Sequence, residues 1–145
     1  MPELPGGPQE HMEALLRFLL PAARREVDEA GGFLPFGASM APDGQVELLG
    51  PADGEDTAEQ QLEDLRALAR ERRGHLMATG VCSDVAVTRG AFPEAIRVEL
   101  EHRDTEPVTW LQPYRNTDDE LTWGERVSLP GEHRTWDAPP SEPSG

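Results

Sequence analysis

The first chemistry the sequence offers is a thiol with a base nearby: Cys82, followed by Ser83 and Asp84, stands seven residues after His75. A nucleophilic cysteine needs a neighbouring base or positive field to form thiolate. The two residues fall on one β-rich stretch, 75–87, at an odd spacing that sends them to opposite faces, so a buried structural cysteine is the simpler reading. His102 beside Glu101 is the other acid/base candidate. It would need convergent partners, and the chain contains no H-x-H, H-E-x-x-H or C-x-x-C spacing. No metal and no cofactor is expected.

Other charged groups read as helix chemistry. The acids Asp53, Glu55, Asp56, Glu59, Glu63 and Asp64 fit no EF-hand register, and they suit the positive end of a helix. Arg66, Arg70 and Arg73 share a face near that helix's other end, where cations belong. Neither G-x-G-x-x-G nor a P-loop occurs, and without any lysine there is no P-loop lysine. The aromatics Trp110, Tyr114, Trp123 and Trp136 gather in the last third, two of them beside polar stretches, which makes the four a candidate interface. Phe33, Phe36 and Met40, together with His102, make a candidate pocket against the second helix.

These side chains must be positioned by elements that the hydrophobic period identifies. Met12, Leu15, Leu16, Leu19, Leu20, Ala23, Val27 and Ala30 recur at helical spacing over 10–30, with Pro21 inside and Gly31–Gly32 as the stop. Proline at 21 predicts a kink or a fresh start. Strands at 33–41 and 45–49 flank Pro42, Asp43 and Gly44, a hairpin turn. A second helix starts near Asp56 or Thr57, where Asp56 with Glu59, or Thr57 with Gln60, has capping-box spacing, and carries Ala58, Leu62, Leu65, Leu68 and Ala69. Strands follow at 75–87, 95–102 and 108–114, with a short sixth at 121–129. In the second of them Ile96, Val98, Leu100 and His102 alternate with Arg97, Glu99 and Glu101, so one face is expected to be wet. The expectation is an α+β domain over 10–129 in the order α-β-β-α-β-β-β, with five or six antiparallel strands and both helices on one face. Flexible tails are expected at 1–9 and 130–145, where proline, glycine and serine concentrate.

This order of elements, over 10–114, resembles the roadblock and longin families of profilin-like domains. The resemblance implies a noncatalytic scaffold that dimerises or binds partner proteins. The C-terminal helix of those families is replaced here by polar, tryptophan-bearing, β-like sequence from Asn116 to Trp136.

Composition narrows the function classes. One hundred and forty-five residues make one domain. A single cysteine closes no internal disulfide and favours a reducing compartment. Neither a signal peptide nor a membrane span is expected, so the chain reads as cytoplasmic. All 13 basic residues are arginine, a usage that points to a high-GC bacterial genome. A net charge of -15 with scattered arginines repels nucleic acid and anionic membranes. The reading is an acidic, noncatalytic interaction module that homodimerises or binds a protein partner. Neutralisation of a basic toxin, antitoxin- or immunity-like, is one version. The alternative is a small-molecule binder or minor enzyme with a cleft near Phe36, using His102 or Glu101 as acid/base.

Overall fold

The first helix, α1 (Pro8–Ala30), starts with proline at its first turn, where a missing N–H costs nothing. It ends at Gly31, whose φ of 78° lets its N–H reach back to the Val27 carbonyl at 2.9 Å. The helix runs through Pro21 without a restart, with that proline on its exposed side. The computed structural model describes residues 5–49, 57–88, 90–117 and 120–136.

The hairpin of β1 (Phe36–Met40) and β2 (Val46–Leu49) forms around the expected turn. Gly44 takes φ 93° there, and the Gln45 N–H donates to the Asp43 carboxylate. The second helix, α2 (Ala58–Arg72), is capped by Thr57, whose Oγ1 accepts from the Gln60 N–H at 3.1 Å. Three long strands follow, β3 (Ala78–Ala86), β4 (Glu94–His102) and β5 (Thr105–Thr117), then β6 (Glu120–Trp123) and β7 (Val127–Pro130). Pairing is antiparallel throughout, in the order β2-β1-β3-β4-β5-β6, with β7 also on β5. The fold is α+β in the expected order, with seven strands instead of five or six.

The extra strand comes from dividing the expected sixth one. Tyr114 to Thr117 of β5 pair with β6, and Val108 to Leu111 of the same edge pair with β7. Between them the Gly124 N–H donates to the Pro113 carbonyl, and the Gln112 side chain donates to the Gly124 carbonyl. A side-chain amide thus bridges the break.

The two helices lie on opposite faces of the sheet, which corrects the expectation of a single helical face. Along β3 and β4, Ala78, Cys82, Ile96, Val98 and Leu100 pack with α1, while Val81 packs with Leu65 and Ala69 of α2. The physical reason is strand periodicity: adjacent residues point to opposite sides, and both sides find cover. Gly80 brings α1 close, since a Cβ there would stand 2.5 Å from Leu19 Cδ1. The charged side of β4, expected to be wet, is largely covered. Arg66 of α2 makes a two-pronged ion pair with Glu99, and Glu101 is 4 % exposed. The described structure also runs past the expected tail boundary at 130, because 131–136 dock onto the sheet, where Thr135 is buried.

Candidate functional site

Residues 101 and 102 show how one strand end divides its chemistry. Glu101 points to the α2 face. Its Oε1 accepts from the backbone N–H groups of Arg134 at 3.0 Å and Thr135 at 2.8 Å, and its Oε2 from that of Trp136 at 2.8 Å. Three consecutive amides around one carboxylate form an anion nest, here filled by the protein's own side chain. The hydroxyls of Thr79 and Thr135 lie 3.0 Å apart beside it. Glu101 therefore fastens the chain segment after β7, and its lone pairs are not open to a substrate.

His102 points to the α1 face, where it meets His11, a residue that the apolar stripe of the helix leaves unannounced. His102 Nε2 and His11 Nδ1 are 3.1 Å apart, with the rings stacked at 5.3 Å between centroids. The Asp104 N–H donates to His102 Nδ1 at 3.0 Å, and His11 Nε2 lies 3.3 Å from the Pro5 carbonyl. One assignment satisfies all three contacts: His102 carries its proton on Nε2 and donates to His11, which carries its proton on Nε2 and donates to Pro5. Both rings are then neutral. Burial holds His102 below the ordinary histidine range, reinforced by His11 and Arg103 and opposed by Asp104. His11 was legible in principle, since it stands four residues before Leu15 and so belongs to the same face.

The remaining candidates separate in space. Cys82 is fully buried, and burial with the nearby Glu99 charge pushes its thiol up, away from the thiolate. His75 lies in a short 3₁₀ turn, Arg73–His75, and is exposed; it is not on β3 as expected. Phe36 stands opposite Cys82 and Met40 opposite Ala78, which in turn faces His102. Phe36 and His102 are thus separated by four residues along β3, roughly 13 Å. Phe33 lines a cavity of about 300 Å³ at the start of α2, and His102 a different one of about 260 Å³ with His133 and Trp136. Met40 is 1 % exposed inside the α1 core. No single concavity holds the four. Asp53, Glu55 and Asp56 lie outside the described residues. Glu59 is in the first turn of α2, Glu63 pairs with Arg66, and Asp64 accepts from Gln60. Arg70 donates to the Arg134 carbonyl at 3.4 Å. Arg73 lies at the end of α2 as its cap. Among the described residues no group of histidine, cysteine and acids is arranged to hold a metal.

Of the four candidate interface aromatics, Tyr114 is excluded by burial. It is 0 % exposed, and its hydroxyl donates to Asp84 at 2.6 Å. Burial and the Asp84 carboxylate both push its phenol up, and burial raises Asp84 against the bonds from Tyr114 and the Phe33 amide. Trp136 lies over the small His102 cavity. Trp110 and Trp123 remain partly open on the α1 face, each with a guanidinium stacked on its ring, Arg126 at 4.8 Å and Arg24 at 4.4 Å.

Those two arginines line a groove of about 580 Å³ between α1 and β6. Leu16, Leu20, Pro21 and Trp123 give it an apolar floor, and Arg17 and Arg25 join Arg24 and Arg126 along its sides. Sequence reading missed this site because its arginines are scattered over more than a hundred positions, and only the α1–β6 packing gathers them. No family model matches the chain, and no curated protein or solved structure matches it.

Proposed function

We propose that this chain is a noncatalytic binding module that engages a partner protein through the tryptophan-bearing side of its sheet, between α1 and strands β6 and β7. One observation carries the reading. Among the described residues Arg17, Arg24, Arg25 and Arg126 form no ion pair with a carboxylate, although 28 acids are available in the chain. Unpaired guanidinium groups around an apolar, aromatic floor are the composition of interface anchors, where arginine and tryptophan recur.

The inward-facing ionisable groups support the same conclusion from the other side. Glu101 is occupied by backbone amides, His11 and His102 by each other, Tyr114 by Asp84, and Cys82 is sealed. Acid/base or nucleophilic chemistry would need one of them free of its partner, and even His102, which lines the small cavity beside Trp136, has both ring nitrogens engaged.

The test is a charge reversal, Arg24→Glu with Arg126→Glu, at two exposed positions. Light scattering across a concentration series reads self-association, and quantitative capture from extracts of the expressing cells reads partner binding. The expected result is a stoichiometric partner, or a dimer, that the double variant loses. A wild-type chain that stays monomeric and captures the same proteins as the variant overturns the reading.

A further inference from the structure

Building on that binding face, the geometry points to an extended acidic peptide segment of the partner as the occupant of the α1–β6 groove. Its glutamate or aspartate side chains would meet Arg17, Arg24, Arg25 and Arg126, with apolar side chains resting on the floor between them. The inference rests on the reading of this side as a binding surface and adds the chemistry of what binds.

Charge selects the sign. Four unpaired arginines face one acid, Asp28, across the lining of the groove. A basic segment would bring like charges together over most of its length, whereas an acidic one would find planar donors for each carboxylate. Stacking also prepares two of those donors. The guanidinium faces of Arg24 and Arg126 rest on Trp123 and Trp110, which fixes their planes while their N–H edges stay free for bidentate contact.

Shape selects an extended chain. The lining runs along α1 from Leu16 to Asp28, about 18 Å at the helical rise. An extended peptide covers that length with about five or six residues, alternating between floor and sides. A small carboxylate would reach one or two of the arginines and leave the rest unpaired. Asp28 then sets the direction, because the residue above it must be neutral or basic. The net charge of -15 repels an acidic partner at long range. Recognition must therefore come from contacts shorter than about 8–10 Å, the distance over which salt screens.

The experiment titrates isotope-labelled full-length protein with an acetylated hexapeptide of alternating glutamate and leucine. The readout is the Trp123 indole N–H and the Arg24 side-chain N–H signals. These signals are expected to move, with affinity about tenfold weaker in Arg24→Ala with Arg126→Ala, from the loss of two exposed ion pairs. Resonances away from the groove report that the variant is folded. The glutamine counterpart of the peptide should leave the signals in place. Equal or tighter binding by a lysine–leucine hexapeptide, by benzoate or by oligothymidylate overturns the acidic-peptide assignment, and so does unchanged affinity in the variant. If the hexapeptide fails while the charge reversal still abolishes partner capture, the binding face stands and its occupant has another chemistry.

Discussion

The face of the sheet beneath α1 and the face beneath α2 use the same strands one residue out of phase, and they are held in opposite ways. Under α1, the leucines of the helix interleave with Ala38, Met40, Ile96, Val98 and Leu100, and the polar exceptions include the paired rings of His11 and His102 and the Tyr114–Asp84 hydrogen bond. Under α2 the apolar cluster is Leu49, Leu65, Ala69 and Val81. Leu62 and Leu68 pack at its margin, and polar contacts hold the remainder: the Arg66–Glu99 pair, the threonine contact, and the three amides around Glu101. Dispersion and desolvation are spread over many contacts, so the first face resists local opening as a unit. The second depends on a few directional bonds, each of which can be removed by one substitution.

That contrast is tested most strongly by truncating one leucine on each side. Leu19→Ala, in the α1 core at 0 % exposure, should lower unfolding free energy by roughly 3–5 kcal/mol, and Leu65→Ala by roughly 2–3 kcal/mol, because the smaller cluster relaxes more easily around a cavity. Urea unfolding of the two variants decides the matter, and equal losses would erase the distinction. On the polar side, Glu101→Gln should cost about 2 kcal/mol, since an amide offers one acceptor oxygen to three donors and places its own N–H₂ against one of them. Hydrogen exchange should then accelerate at the amides of 134–136 before it does in α1.

Acid distinguishes the faces by a different route. His102 binds its proton more weakly in the folded chain than in the unfolded one, so its contribution is complete above the ordinary histidine value of 6.5 and shrinks as pH falls below it. Stability measured across that window should decline toward acid. His102→Gln should flatten the slope, because the amide oxygen and nitrogen stand in for Nδ1 and Nε2 without titrating. The smallest effect belongs to the groove: Arg24→Ala should change stability by less than about 0.5 kcal/mol, whatever it does to binding.

Local signals in the sequence carried most of the fold. Two overlapping capping pairs, Asp56 with Glu59 and Thr57 with Gln60, announced a helix start of which the structure uses the second, Asp43–Gly44 announced a turn, and the leucine spacing of 10–30 a helix that formed two residues longer than expected. What local signals lacked was the second side of the sheet. Arg97, Glu99 and Glu101 look like residues facing water, and nothing in their alternation says that an arginine 33 positions away on α2 will cover Glu99. The partners of Glu101 were less legible still, because backbone amides exist at every position and leave no mark on residue type. The same holds for the groove, where Arg24 and Trp123 meet only after the sheet has brought β6 beside α1.

The nest around Glu101 has a consequence for how the protein is made. The carboxylate sits on β4, but the amides that satisfy it belong to Arg134, Thr135 and Trp136. A chain leaving the ribosome from its first residue will have both helices and most of the sheet outside the tunnel while that charge still lacks its partners. Until residues 134–136 dock, water stands in for their amides at Glu101, so closure over that carboxylate comes only after the segment beyond β7 has left the tunnel.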